Sequence, residues 1–190
     1  PTKQAAAAVG QCELMYTYDR LFLQYNHTVA QILLTGEDVD HAERRQNFEN
    51  TLERLLELGA LPIINENDTV ATAEIKVGDN DTLGAIVARC AKAELLVLLS
   101  DIDGLYTADP RKDPAARLIP VVEEVTPQIE ALAGGVGSGL ATGGMATKLR
   151  AAKMVAEVGC DMIITNGERP EVLYDIAAGG AVGTRFVGKK

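Results

Sequence analysis

Short apolar runs alternate along this chain with longer segments of helical periodicity, and this alternation limits the fold more than any other feature. The strongest run covers residues 94–99, ELLVLL. A continuous apolar run of this kind is typical of a strand that a parallel sheet buries on both faces. Further strands are predicted at residues 28–34, 61–64, 117–122, 161–165 and 181–187, the last at a sheet edge. Strands that alternate with helices indicate an α/β sandwich.

The helical segments fill the spaces between these runs. They are predicted at residues 2–25, 80–93, 126–133, 145–158 and 170–178, with one more helix that Asp40 caps and Gly59 ends. In the first helix, Leu14, Tyr18 and Leu21 recur at helical spacing. That face is apolar enough for a core or for a subunit contact. Residues 100–116, rich in Gly, Pro and Asp, predict a long ordered loop.

Composition excludes several classes of protein. The chain has 190 residues, 47% of them hydrophobic, which suits one domain with a sizeable core. A formal net charge of -9 argues against nucleic acid as the main partner. No run approaches the roughly 20 apolar residues of a membrane span, and the first residues do not resemble a signal peptide. We therefore expect a soluble cytoplasmic protein with no membrane partner, whose three cysteines are reduced core thiols.

Two polar clusters lie close together in residues 61–81, LPIINENDTVATAEIKVGDND. The first, residues 65–68, follows a predicted buried strand, at the end where open α/β sheets bind ligands. The second, residues 78–81, opens a helix. Acids at this density repel one another unless cations or backbone donors lie among them, so a metal or a cationic ligand is expected. The alternative is a strand exit followed by an ordinary helix cap.

A glycine-rich segment, residues 134–144, runs directly into a helix that carries Lys148. Backbone N–H groups at a helix start favour anions, and the lysine adds a full positive charge, so this segment predicts a phosphate site. Its spacing fits neither a Walker A loop nor a dinucleotide-binding fingerprint. The alternative is a flexible loop that ends in a helix cap. Ser100 and Asp101 close the strand at residues 94–99 and are predicted to meet a nucleotide phosphate or its magnesium at the same sheet edge as the first polar cluster.

Three segments together resemble a known family: PIINENDTVATAEIKVGDND, LLSDIDGLYTADPR and GLATGGMATKLRAA. They are similar to the glutamate 5-kinases of the amino-acid kinase family, and the likeness runs over essentially the whole chain. The resemblance implies a three-layer α/β/α sandwich with a mostly parallel sheet. It also implies ATP-dependent phosphorylation of the glutamate side-chain carboxylate, the first step of proline biosynthesis, by a homo-oligomer.

The resemblance further implies roles for individual residues. Lys148 would stabilise the transferring phosphoryl group and Asp81 would position the catalytic lysines, while Mg²⁺ would be carried mainly by ATP. Glutamate would be bound by Asn65, Asp68 and Asn80. ATP would be bound by Ser100, Asp101, Thr142, Gly143, Gly144, Met145, Ala146, Thr147 and Lys148.

The chain also departs from the family pattern. Family members begin with a lysine-bearing strand and a glycine-rich turn, and no such segment precedes Pro1. We therefore expect residues 1–190 to be an N-terminally incomplete kinase domain without the PUA domain of many bacterial members, with weak ATP binding and little turnover. Two alternatives stay open. One is another amino-acid kinase, acting on aspartate, acetylglutamate, carbamate or UMP, and the other is a non-catalytic module that binds amino acid or nucleotide.

Overall fold

The computed structural model describes residues 2–72, 77–133 and 144–189. The chain divides into two compact units, Pro1–Gly78 and Asp79–Lys190. Within the described residues no helix combines the length and apolar character that a membrane crossing needs. The assignment of residues 1–190 to a single kinase domain stays a prediction.

The first unit pairs two parallel strands and contains three helices in its described part. In chain order these elements are α1 Thr2–Leu23, β1 Val29–Leu34, α2 Gly36–Asp40, α3 Ala42–Glu57 and β2 Leu61–Glu66. β1 lies parallel to β2, with Val29 opposite Leu61. α1 contacts β1, and α3 contacts β2. Phe48 and Leu52 of α3 are buried, so one apolar face of this helix supplies core.

The first helix forms as predicted, but its apolar face is not part of a core in the described residues. No residue of α1 is buried, and Leu14 and Leu21 are 37% and 48% exposed. The subunit contact, the other alternative for this face, stays a prediction.

The predicted N-cap of α3 is wrong by one residue. Asp40 is the last residue of α2, and His41, with extended φ and ψ, is the N-cap of α3. The short helix α2 was not predicted, and it ends at the residue that was expected to cap α3. Gly59, with φ of 71°, follows the end of α3 as predicted.

The second unit contains a four-stranded sheet in its described part. Its elements are α4 Asn80–Cys90, β3 Leu95–Ser100, β4 Val121–Val122, α5 Pro127–Leu132, α6 Met145–Ala156, β5 Asp161–Asn166, α7 Val172–Ala177 and β6 Thr184–Phe186. The strand order is β3-β5-β6-β4. β3 and β5 pair in parallel, as do β4 and β6, whereas β5 and β6 are antiparallel. The sheet is therefore mostly parallel, as predicted.

The core of this unit lies between the sheet and two helices that contact each other, α4 and α6. α4 also contacts β3, and α6 contacts β5. Met162 and Ile164 of β5 and Val155 of α6 are all 0% exposed. This packing brings the first turns of α4 and α6 together.

Two strands differ from the predictions. β6, predicted at an edge, lies between β5 and β4, and its Thr184 and Phe186 are 0% and 2% exposed. β3, predicted to be buried on both faces, lies at an edge of this sheet, with Leu95 and Leu99 39% and 44% exposed. The position of each strand in the sheet depends on its pairing with strands that lie many residues away in sequence. Local composition carries no information about that pairing.

A glycine allows β6 to approach β5 closely. Gly183 has φ of 60°, and a Cβ atom there would lie 2.0 Å from the carbonyl oxygen of Ile164. Any side chain at this position would push the two strands apart.

Candidate active site

A buried ion pair joins the first turns of α4 and α6. Lys148 Nζ lies 3.1 Å and 3.0 Å from the two carboxylate oxygens of Asp81, and the side chains are 7% and 13% exposed. The two charges attract strongly where little water screens them, and removal of Lys148 would take this cation away from a buried carboxylate. The resemblance assigned Asp81 to positioning lysines, and the structure places it directly against one.

Thr147 contacts the same carboxylate. Its hydroxyl lies 2.6 Å from Asp81 Oδ2 and 2.7 Å from the carbonyl oxygen of Gly144, the N-cap of α6. Two consecutive residues of α6 therefore contact one acid of α4. The ammonium group of Lys148 is held at the start of α6, where the helix dipole also favours an anionic ligand.

The second polar cluster divides between two tasks. Asp79 caps α4, because its carboxylate accepts hydrogen bonds from the backbone N–H and the hydroxyl of Thr82, at 2.7 Å and 2.9 Å. Asp81 instead contacts Lys148. The helix-cap alternative therefore holds for Asp79. The carboxylate of Asp81 contacts α6 instead.

A cavity of about 480 Å³ opens beside the ion pair. That volume lies in the range of small-molecule sites. Asp101, Gly144, Met145 and Lys148, all predicted to bind nucleotide, line it. The rest of its lining includes the loop after β3, with Tyr106. Cationic, acidic and apolar side chains thus surround one space.

Other residues predicted to bind nucleotide lie next to this lining or outside the described residues. Ser100 donates a hydrogen bond to Asp101 Oδ1 at 3.2 Å. Ala146 is exposed in the first turn of α6. Thr142 and Gly143 lie outside the described residues, as does most of the predicted glycine-rich segment.

Asp103 organises the loop that forms one wall of the cavity. Its two carboxylate oxygens accept hydrogen bonds from the hydroxyl of Tyr106 and the side-chain amide of Asn166, each at 3.0 Å. The bond to Asp103 raises the pKa of Tyr106 above its usual value. Asp103 and Tyr106 were not singled out from the sequence, although both lie in the loop that follows β3, close to Asp101.

Arg111 and Lys112 bring further positive charge to the same cavity. Sequence reasoning treated residues 100–116 only as a loop and missed this contribution. A basic pair in a loop has no periodic signal, and only the cavity identifies it.

The first unit contains a smaller cavity, of about 270 Å³, at the end of β2. Asn65 and Asp68, two residues predicted to bind glutamate, line it together with Gln11 of α1. Asn65 donates a hydrogen bond to Gln11 Oε1 at 3.1 Å. Gln11 was missed, because an isolated amide in a helix carries no spacing signal.

Glu66 belongs to the first polar cluster, and Asn80 belongs to the second. Glu66 is 8% exposed and accepts hydrogen bonds from the backbone N–H groups of Val77 at 2.5 Å and Gly78 at 3.4 Å. These bonds supply backbone donors of the kind that were expected among the clustered acids. Asn80, the third residue predicted to bind glutamate, is the first residue of α4 in the second unit.

The described residues include no group of three or more His, Cys, Asp or Glu side chains arranged to hold a metal ion. Two of the acids nearest the larger cavity, Asp101 and Asp109, line its wall. Carboxylates are the ligands that Mg²⁺ prefers, so they fit a magnesium ion that arrives with nucleotide phosphates.

Comparison with solved structures identifies the fold. Carbamate kinase from Giardia lamblia bound to AMP-PNP superposes with a TM-score of 0.67 at 17% identity, over 98% of this chain and 73% of that protein. An isopentenyl phosphate kinase superposes with a TM-score of 0.64 at 22% identity, over 92% of this chain and 66% of that one. These likenesses concern the fold, and they confirm the predicted α/β sandwich.

Comparison with known sequences identifies closer relatives. The glutamate 5-kinases of Clostridium perfringens and Clostridium tetani are 50% and 53% identical to this chain, which covers 71% and 70% of their lengths. The glutamate 5-kinase of Geobacter sulfurreducens is 52% identical over 98% of this chain, which spans 50% of that protein. Residues 1–166 match the amino acid kinase family. On this evidence the chain belongs to the amino acid kinase family and, within it, to the glutamate 5-kinases.

Proposed function

We propose that this chain transfers the γ-phosphoryl group of ATP to the side-chain carboxylate of L-glutamate, forming glutamyl 5-phosphate for proline biosynthesis in the cytoplasm. Relatives about half identical to it carry the name of that activity. The observation that carries the proposal is the buried pair of Lys148 and Asp81 beside a cavity of nucleotide size.

The larger cavity is proposed as the ATP site. A kinase with this fold binds the ATP analogue AMP-PNP, which supports nucleotide binding. Lys148 and the start of α6 would face the phosphates, and Asp101 would face the magnesium that arrives with them. Bound Mg²⁺ neutralises charge on the phosphate oxygens.

Phosphoryl transfer asks the protein mainly for positioned reactants and for positive charge where negative charge develops. Lys148 is proposed to supply that charge at the transferring group. Asp81 holds the ammonium in place and touches no reactant itself. Ser100, Thr142, Gly143, Met145, Ala146 and Thr147 are proposed to surround the nucleotide.

Glutamate is proposed to bind through Asn65, Asp68 and Asn80. Amide and carboxylate oxygens accept hydrogen bonds from an ammonium group, so this set suits the amino-acid end of glutamate. The 5-carboxylate would then attack the phosphoryl group.

The test is ADP release by the full-length protein with glutamate, and separately with aspartate, acetylglutamate, carbamate and UMP. We expect turnover with glutamate and little with the others. A preference for another acceptor, or binding of glutamate without ADP release, would overturn the proposal and favour one of the alternatives.

Lys148→Ala should lower kcat by roughly 100- to 1,000-fold, as loss of a group that stabilises the transition state does. The KM for glutamate should change little, because Lys148 is not proposed to bind it. Lys153→Ala is the matched control, since Lys153 lies on the same helix, is half-exposed and pairs with Glu130 at 2.6 Å. An unchanged kcat in Lys148→Ala would remove Lys148 from the reaction.

A further inference from the structure

The hydroxyl of Thr147 lies between two acceptors and has one proton to donate. The acceptors are Asp81 Oδ2, at 2.6 Å, and the carbonyl oxygen of Gly144, at 2.7 Å. The side chain is itself buried, with 9% of the residue exposed. Which acceptor receives the proton decides what Thr147 does.

The carbonyl oxygen of Gly144 already has other donors. The backbone N–H groups of Thr147 and Lys148 both point to it, at 3.1 Å and 3.4 Å. It therefore stays hydrogen-bonded when the hydroxyl turns away.

The carboxylate of Asp81 attracts the proton more strongly. Hydrogen bonds from a hydroxyl to an ionised carboxylate are short, about 2.5–2.7 Å, and stronger than neutral ones. The observed 2.6 Å falls in that range. The hydroxyl therefore donates to Asp81.

This bond restrains the carboxylate in a way that the lysine cannot. An ammonium group on a flexible four-carbon chain accommodates many orientations of its partner. The threonine hydroxyl is bonded directly to a branched Cβ with few χ1 rotamers, on a helix whose backbone is fixed. Thr147 therefore sets the direction of the Asp81 carboxylate, and Asp81 then sets the position of Lys148.

We propose that Thr147 is a positioning residue that acts through Asp81, and that its hydroxyl keeps the Lys148 ammonium at the wall of the cavity. This inference rests on the proposed function, which places Lys148 at the transferring group. It assigns to the hydroxyl a role other than contact with the nucleotide.

The test compares Thr147→Val, which keeps the shape and removes the hydroxyl, with Thr147→Ser, which keeps the hydroxyl. Misplacement of a catalytic group by a fraction of an ångström to an ångström lowers rates by roughly 10- to 100-fold. We expect a loss of that size in kcat for Thr147→Val, with both KM values within about threefold, and most of kcat retained in Thr147→Ser. Loss confined to the KM for ATP would overturn the proposal, because it would make the hydroxyl a nucleotide contact.

A second arm tests the route through Asp81. In an Asp81→Asn background, Thr147→Val should cause little further loss of kcat, because residues in one network have non-additive effects. Fully additive losses would overturn the proposal.

A third arm separates this inference from the proposed function. If the wild-type protein shows no turnover with glutamate, the proposed function fails by itself. The wild type, Thr147→Val, Asp81→Asn and the double variant are then compared by urea unfolding, which needs no activity. Coupled changes in stability between Thr147 and Asp81 would support the contact, and additive changes would overturn it.

Discussion

Asp38 in α2 shows how a single carboxylate is held by local donors. The hydroxyl and the backbone N–H of Thr35 donate to its Oδ2 at 2.7 Å and 2.8 Å, and Arg44 lies 3.4 Å from its Oδ1. Burial raises the pKa of Asp38, but the bonds from Thr35 and the charge of Arg44 outweigh it, and the pKa is lowered below 3.8.

The sign of this pKa shift fixes a pH dependence. A carboxyl with a lowered pKa in the folded state stabilises the fold above its unfolded pKa, and that stabilisation is lost as pH falls through the folded pKa. Asp38→Asn should therefore be less stable than the wild type at neutral pH, and the difference should shrink below about pH 4. Urea unfolding from pH 3 to 7 measures it.

Glu37→Gln is the control for Asp38→Asn. Glu37 also pairs with Arg44, at 3.1 Å, but both side chains are about half exposed, and such pairs contribute little. A stability difference for Asp38→Asn that stays constant across this pH range would contradict the assignment.

The residues of the candidate site were predictable only in part. Lys148 could be singled out because glycines precede its helix, and Asp81 because of its dense acidic surroundings and the resemblance. The contact of Asp81 with Thr147 spans 66 positions of sequence and arises from the packing of α4 on α6, which no local pattern encodes. Asn65 and Asp68 line one cavity as expected, while Gln11 joins them only through the placement of α1.

Among the secondary structure elements, β6 both pairs within the sheet and holds a neighbouring segment by hydrogen bonds. Thr184 is fully buried, accepts a hydrogen bond from the backbone N–H of Leu105 at 2.8 Å and donates one to the carbonyl oxygen of Ile119 at 2.6 Å. One side chain of β6 thus fixes both ends of the segment that includes the wall of the larger cavity.

Thr184→Val should destabilise the protein by about 2–4 kcal/mol, because it removes the hydrogen-bond partner of the Leu105 backbone N–H and of the Ile119 carbonyl oxygen without changing the shape of the side chain. Thr184→Ser keeps the hydroxyl and should cost less. Equilibrium urea unfolding compares the two. Equal losses in both variants would mean that packing of the methyl group, and not hydrogen bonding, holds this segment.

Elements were more predictable than their neighbours in the sheet. Apolar runs located β1, β2, β3 and β5 to within one or two residues, because burial of a strand leaves its mark locally. The segment that contains β6 includes Gly183, Thr184 and Arg185, a composition typical of an edge strand. Its interior place comes from pairing with β4 and β5, many residues away.

At the scale of the whole molecule, burial is unevenly distributed. In the second unit β5 contains four buried residues in succession, Met162 to Thr165. In the first unit the 22-residue helix α1 contains none. Local opening costs least where few apolar contacts are broken.

Hydrogen exchange should reveal this difference. We expect backbone amides of β5 to exchange slowest and those of α1 to exchange much faster, although both are hydrogen-bonded. Exchange measured by mass spectrometry on the full-length protein tests this. Equal protection of α1 and β5 would contradict this expectation.

The strand order β3-β5-β6-β4 also governs how the sheet can assemble during synthesis. The only strand partner of β4 in the described sheet is β6, which leaves the ribosome about sixty residues later. Until β6 has been made, β4 and the loop before it lack the neighbour that fixes them. The nascent chain must therefore keep this side of the larger cavity unformed, and a translational pause before residue 184 would lengthen its exposure to chaperones and proteases.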